Sequence, residues 1–134
     1  MNTEPLRRPP QGEGAGRNPP LALDQDRFDH LMQVAGAHAE DLLRQLLIDL
    51  EQVHAQLLAT AEAPDPGVVR AQAHVLVALA GATGAGKVQD LAQALNATAH
   101  HQSGPELRAA VAGVLGPLEA LLAFLAARLD GMGG

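Results

Sequence analysis

Apolar positions recur every three or four residues along most of the chain, a spacing that predicts helices. Leu43, Leu46, Leu47, Leu50, Val53, Leu57 and Leu58 mark a long amphipathic helix, with Gln45, Asp49, Gln52 and Gln56 on its polar side. Before it, Asp24 is placed to cap a short helix that carries Phe28, Leu31 and Met32 and ends near Gly36. The run Pro64-Asp65-Pro66-Gly67 ends the long helix with a turn. A third helix is expected from Gly67 to about Ala82 and a fourth from about Ala85 to His101. Gln102-Ser103-Gly104-Pro105 reads as a loop, with Pro105 suited to the first turn of a last helix. That helix carries Leu107, Val111, Val114, Leu118, Leu121, Leu125 and Leu129, and Pro117 inside it is expected to kink it. Amphipathic segments joined by short connections predict an all-α fold, an antiparallel up-down four-helix bundle preceded by a short N-terminal helix.

Composition agrees with a helical core and narrows the function. The chain has 134 residues, room for one domain. Its apolar residues are mainly Leu, Ala and Val, with two Phe and no Trp or Tyr, and Leu and Ala favour helices. Residues 1–22 hold Pro5, Pro9, Pro10, Pro19, Pro20, Gly12, Gly14 and Gly16 and little that can be buried, so they read as a disordered tail before a domain over 23–130. The formal charge is −6 and Lys87 is the one lysine, which argues against nucleic acid as a partner. There is no cysteine, so neither disulfides nor thiol chemistry is available. No apolar run is expected to span a membrane and no signal-peptide core is visible, so a cytoplasmic location is expected.

Candidate chemistry centres on the third helix. A turn of about 100° per residue puts Val69, Leu76, Leu79 and Ala80 on one side, the expected core side. His74 falls opposite, in one stripe with Gly67, Arg70, Val77, Ala78 and Gly81. An imidazole is a nucleophile near neutral pH. Phosphoryl transfer depends mostly on positioning and charge stabilisation, so a carrier needs little more than a rigid, exposed imidazole with small neighbours. The plain alternative is a surface histidine on an alanine-rich helix.

The stretch Ala73-His74-Val75-Leu76, followed by Ala80, Gly84-Ala85, Val88, Leu91 and Leu95, resembles the signature of histidine phosphotransfer (HPt) domains. In that family an Ala-His-x-Leu-Lys-Gly run is followed by an alanine, a glycine and a leucine-rich helix. Ala80, Gly84 and Leu95 keep that register, and the resemblance covers about residues 24–129. It implies that His74 accepts a phosphoryl group from a receiver domain's aspartyl phosphate or from a histidine kinase and passes it on. The carrier would then not be an autonomous enzyme. It would need no cofactor of its own, because Mg²⁺ and most catalytic groups would belong to the partner, a response-regulator receiver domain or hybrid histidine kinase.

Two positions depart from the signature: Val77 stands where the family usually has Lys, and Ala78 where it usually has Gly. Loss of an exposed cation typically costs about 0.2–1 kcal/mol, and Ala for Gly stabilises a helix by up to about 1 kcal/mol, so neither change abolishes the chemistry. Arg70, on the same stripe, is the candidate replacement for the missing charge. Val77, taken as exposed, would join Ala78 and His74 in an apolar docking strip. Asn96 occupies a position where many family members place Glu or Gln near the histidine. The rival reading is a pseudo-HPt module that binds a receiver or kinase domain without being phosphorylated. A helical adaptor with an incidental His74 is the third. Oligomeric state is left open.

One decoy remains. Gly81-Ala82-Thr83-Gly84-Ala85-Gly86-Lys87 matches most of a phosphate-binding P-loop, but the next residue is Val88 rather than Ser or Thr. A metal site is not expected: His100 and His101 diverge by about 100° on a helix, and Asp26 with His30 is a surface spacing.

Overall fold

The computed structural model describes residues 23–133; the tail assigned to residues 1–22 lies outside them. The fold of the described residues is all-helical, with helices α1 (Gln25–Ala35), α2 (Ala39–Thr60), α3 (Pro66–Thr83), α4 (Gly86–His101) and α5 (Pro105–Gly133), and a 3₁₀ turn at Gly36–His38.

The boundaries follow from local chemistry. Asp24 accepts the Arg27 N–H at 3.1 Å and starts α1, and Gly36, at φ 55°, ends it. Asp65 accepts the Gly67 N–H at 2.9 Å, and Pro66, which has no N–H to satisfy, opens α3. The Thr60 hydroxyl ties the preceding turn by accepting the Asp65 N–H at 2.8 Å. At the far end of α3, Gly84 is left-handed (φ 83°), and its N–H and that of Ala85 return to the last carbonyls of the helix.

α3 packs on α2 and α4, and α5 packs on α2 and α4, so each long helix has two neighbours in a bundle-like arrangement. The buried positions repeat at helical spacing: Leu43, Leu47, Leu50, Val53 and Leu57 on α2, and Leu107, Val111, Val114, Leu118, Leu121 and Leu125 on α5. On α3 and α4 the core alternates large with small, with Leu76, Leu95, Ala73, Ala80, Ala92 and Ala99 all buried. Leu79, assigned to the core side, is half-buried against it. α1 closes one end through Phe28, which is fully buried and meets Phe124 edge-on at 5.2 Å, with Arg128 5.0 Å from its ring centre. Its first residues clamp the α3–α4 connection: the Asp24 N–H donates to the Gly84 carbonyl at 2.7 Å.

α5 corrects one expectation. Pro105–Met132 is long and apolar enough to cross a bilayer, although no such segment was anticipated. Pro117 and Glu119 interrupt the apolar run by eye, but the Leu, Ala and Gly around them keep the average apolar. The helix continues unbroken through Pro117. Its leucine face is already used inside the protein.

Candidate functional site

His74 is exposed in the middle of α3. It sits four residues after Arg70 and two before Leu76, which is fully buried, so the helical rotation that buries Val69, Ala73, Leu76 and Ala80 turns the imidazole outward. The outer ridge around it consists of Gly67, Ala71, Val75, Ala78 and Ala82, all exposed. Apart from Val75 it carries no side chain larger than a methyl group, so an approaching surface meets the imidazole first. From Pro66 to Gln89 the chain contains no Asp or Glu, although the net charge is −6. That stretch holds Arg70, His74 and Lys87 instead, while the nearest carboxylates given by the structure are Asp65 at the start of α3 and Asp49 across the groove beside Val75. The imidazole makes no hydrogen bond or ion pair with another described residue.

One flank of α3 meets α4, and two contacts fix their register. Near the connection, Gln89 donates its side-chain N–H to the Val77 carbonyl at 3.3 Å and lies over Gly81. Near the other ends, Arg70 donates through Nη1 to the Ala99 carbonyl at 3.4 Å. This register puts Asn96 level with His74. Asn96 is half-buried and makes no direct hydrogen bond to the imidazole.

The expected stripe is therefore present only in part. His74 and Ala78 are exposed as anticipated, and Arg70 is half-buried, its guanidinium turned to the end of α4. Gly81 needs correction: it is buried beneath Gln89 and offers no open surface. Val77 needs correction too, because it is half-buried and packs against the core. Both lie on the flank that α4 covers, which a single-helix projection does not reveal. The exposed valine is Val75, at 42%. It borders a groove between α2 and α3 that is lined by Asp49, Gln52, Val53, Gln56 and Gln72. Gln89 and Val75 were missed. The helical projection of α4 carried a signal for Gln89, since it shares a flank with Asn96.

Gly81 to Lys87 do not form a nucleotide loop. Val75-Leu76-Val77 belong to a helix rather than a strand, and the glycines end α3 and begin α4. His54 pairs with Glu119 at 2.9 Å across α2 and α5, while His30, His38, His100 and His101 are exposed. Among the described residues no three His, Cys, Asp or Glu side chains converge on a point. Comparison with protein-family models, with curated proteins and with solved structures finds no match to this chain.

Proposed function

We propose that this protein is a phosphoryl carrier of the histidine phosphotransfer type, with His74 as the phosphoacceptor and an antiparallel up-down bundle of α2 to α5 as its scaffold. The observation that carries the reading is a single one: an unengaged, exposed imidazole rises from a rigid helix on a ridge of small side chains, in a stretch without acids. Rigidity and access are what a carrier contributes, since the partner supplies the metal and the remaining charge.

In the proposed step, the unprotonated ring nitrogen of His74 attacks the phosphorus of a receiver domain's aspartyl phosphate. The P–O bond to the aspartate breaks as the N–P bond forms, the carboxylate leaves, and the proton on the other ring nitrogen stays in place. Arg70, one turn away, supplies the cation that Val77 does not. The α2–α3 groove beside Val75 and the exposed methyl of Ala78 belong to the proposed docking face.

The test mixes the protein with phosphorylated receiver domains and follows acid-labile, base-stable phosphate. A carrier takes up label, and His74→Gln abolishes it. Receiver binding without label would favour the pseudo-HPt module, and neither binding nor label would favour a helical adaptor.

A further inference from the structure

The end of α4 is built differently from the end of α3. α3 closes on left-handed Gly84, whose N–H and that of Ala85 return to the Gly81 and Ala80 carbonyls. α4 has no such cap: Gln102 follows it in extended conformation (φ −127°, ψ 160°) and donates its N–H to the Thr98 carbonyl at 2.7 Å. The next carbonyl, on Ala99, belongs to a residue only 3% exposed, and the donor that reaches it is Arg70 from the neighbouring helix. A cation there also suits the negative end of the α4 dipole. Arg70 therefore does for α4 what Gly84 does for α3.

Arg70 is also one turn before His74, on the flank of α3 nearest to it. Side chains on a helix lean toward its N-terminus, so the imidazole at 74 inclines over the turn that carries Arg70. Arg70 makes no ion pair with any described residue. Asp65 lies beside Gly67, near the same guanidinium but beyond ion-pair distance, so a group placed on His74 would be a second anion beside a guanidinium now held by one long bond to a neutral carbonyl. Charge-assisted hydrogen bonds are shorter and stronger than those to carbonyls, so an anion at 74 would win.

We propose that Arg70 is a latch read by the charge at position 74. With neutral imidazole it secures the last turn of α4; negative charge at 74 draws it away and loosens that turn and the loop to α5. The proposal rests on the carrier reading for the source of that charge, a phosphoryl group on His74. It would give the phosphorylated chain a signal some turns away from the phosphate, at residues 99–104.

Hydrogen exchange at the amides of residues 99–102, the last of which donates to the Thr98 carbonyl, tests this without phosphoryl transfer, using His74→Glu as the anion and His74→Gln as its neutral control. Position 74 is exposed, and circular dichroism checks that each variant is folded. Expected is roughly five-fold faster exchange in His74→Glu, the size of one lost hydrogen bond of about 1 kcal/mol. Arg70→Ala should show the same acceleration, His74→Gln should keep the wild-type rates, and the double variant His74→Glu with Arg70→Ala should match Arg70→Ala alone. Equal rates in the Glu and Gln variants would overturn the latch. So would an undiminished effect of Glu in the Arg70→Ala background. A chain that shows this pattern but never accepts phosphate keeps the latch and loses the carrier function; a chain that is phosphorylated but lacks the pattern does the reverse.

Discussion

At the scale of single residues, the division between site and core is sharp along α3. His74 and Leu76 are two positions apart, one exposed and without a hydrogen-bond partner among the described residues, the other fully buried. His74→Gln should therefore leave urea stability within about 0.5 kcal/mol of wild type. Leu76→Ala should lower it by about 2–5 kcal/mol, through lost burial and the cavity left behind. Arg70→Ala removes the donor to a buried carbonyl and should cost about 1 kcal/mol in the same measurement. Gly81→Ala sets two effects against each other. The methyl group would collide with the Gln89 side-chain amide and displace its bond to Val77, at about 0.5–1.5 kcal/mol, while the helix gains up to about 1 kcal/mol. The displaced group is the end of a flexible chain, so the net change should stay within about 1 kcal/mol. The outward rotation of His74 was legible in the sequence because the core positions of α3 repeat regularly. The covering of Val77 and Gly81 was not, because it depends on a neighbour from another helix.

At the scale of elements, stop and start signals carried most of the architecture. Asp24, Asp65, Pro66, Gly84 and Pro105 each stand at a helix end where their side-chain or backbone chemistry is needed. The same Gly-rich run that imitates a phosphate loop is in fact punctuation between two helices. Its physical reason is Gly84: at φ 83° a side chain is strained, and a Cβ there would sit 2.8 Å from the Asp24 carbonyl oxygen. Gly84→Ala meets backbone that cannot swing aside, so urea denaturation should show a loss larger than for Gly81→Ala, more than about 1–2 kcal/mol. Asp65→Ala should cost about 1 kcal/mol by removing the cap of α3. What the pattern misjudged was α5, whose apolar length depends on an average over Ala and Gly rather than on an uninterrupted run.

At the scale of the whole molecule, the helices place one long ridge of α3 outside and keep its leucines within. The acids are distributed elsewhere: Glu40, Asp41 and Asp49 lie on α2 and Glu106, Glu119 and Asp130 on α5. Asp65 caps α3, Asp49 lines the groove beside Val75 and Asp90 lies on α4, so it is the α3 helix itself that carries no carboxylate, with His74 at its middle. The HPt-like register in the sequence and this helix agree on the same residue, although they rest on different grounds, one on motif and the other on exposure and charge. A carrier must also give its phosphoryl group away, which an incidental surface histidine has no reason to do. The most direct measurement loads the protein from a phosphorylated receiver domain, removes that donor, and adds an unphosphorylated receiver. Passage of the label from His74 to the second receiver's aspartate is the expected result; label that never reaches His74, or that stays on the chain, would contradict it.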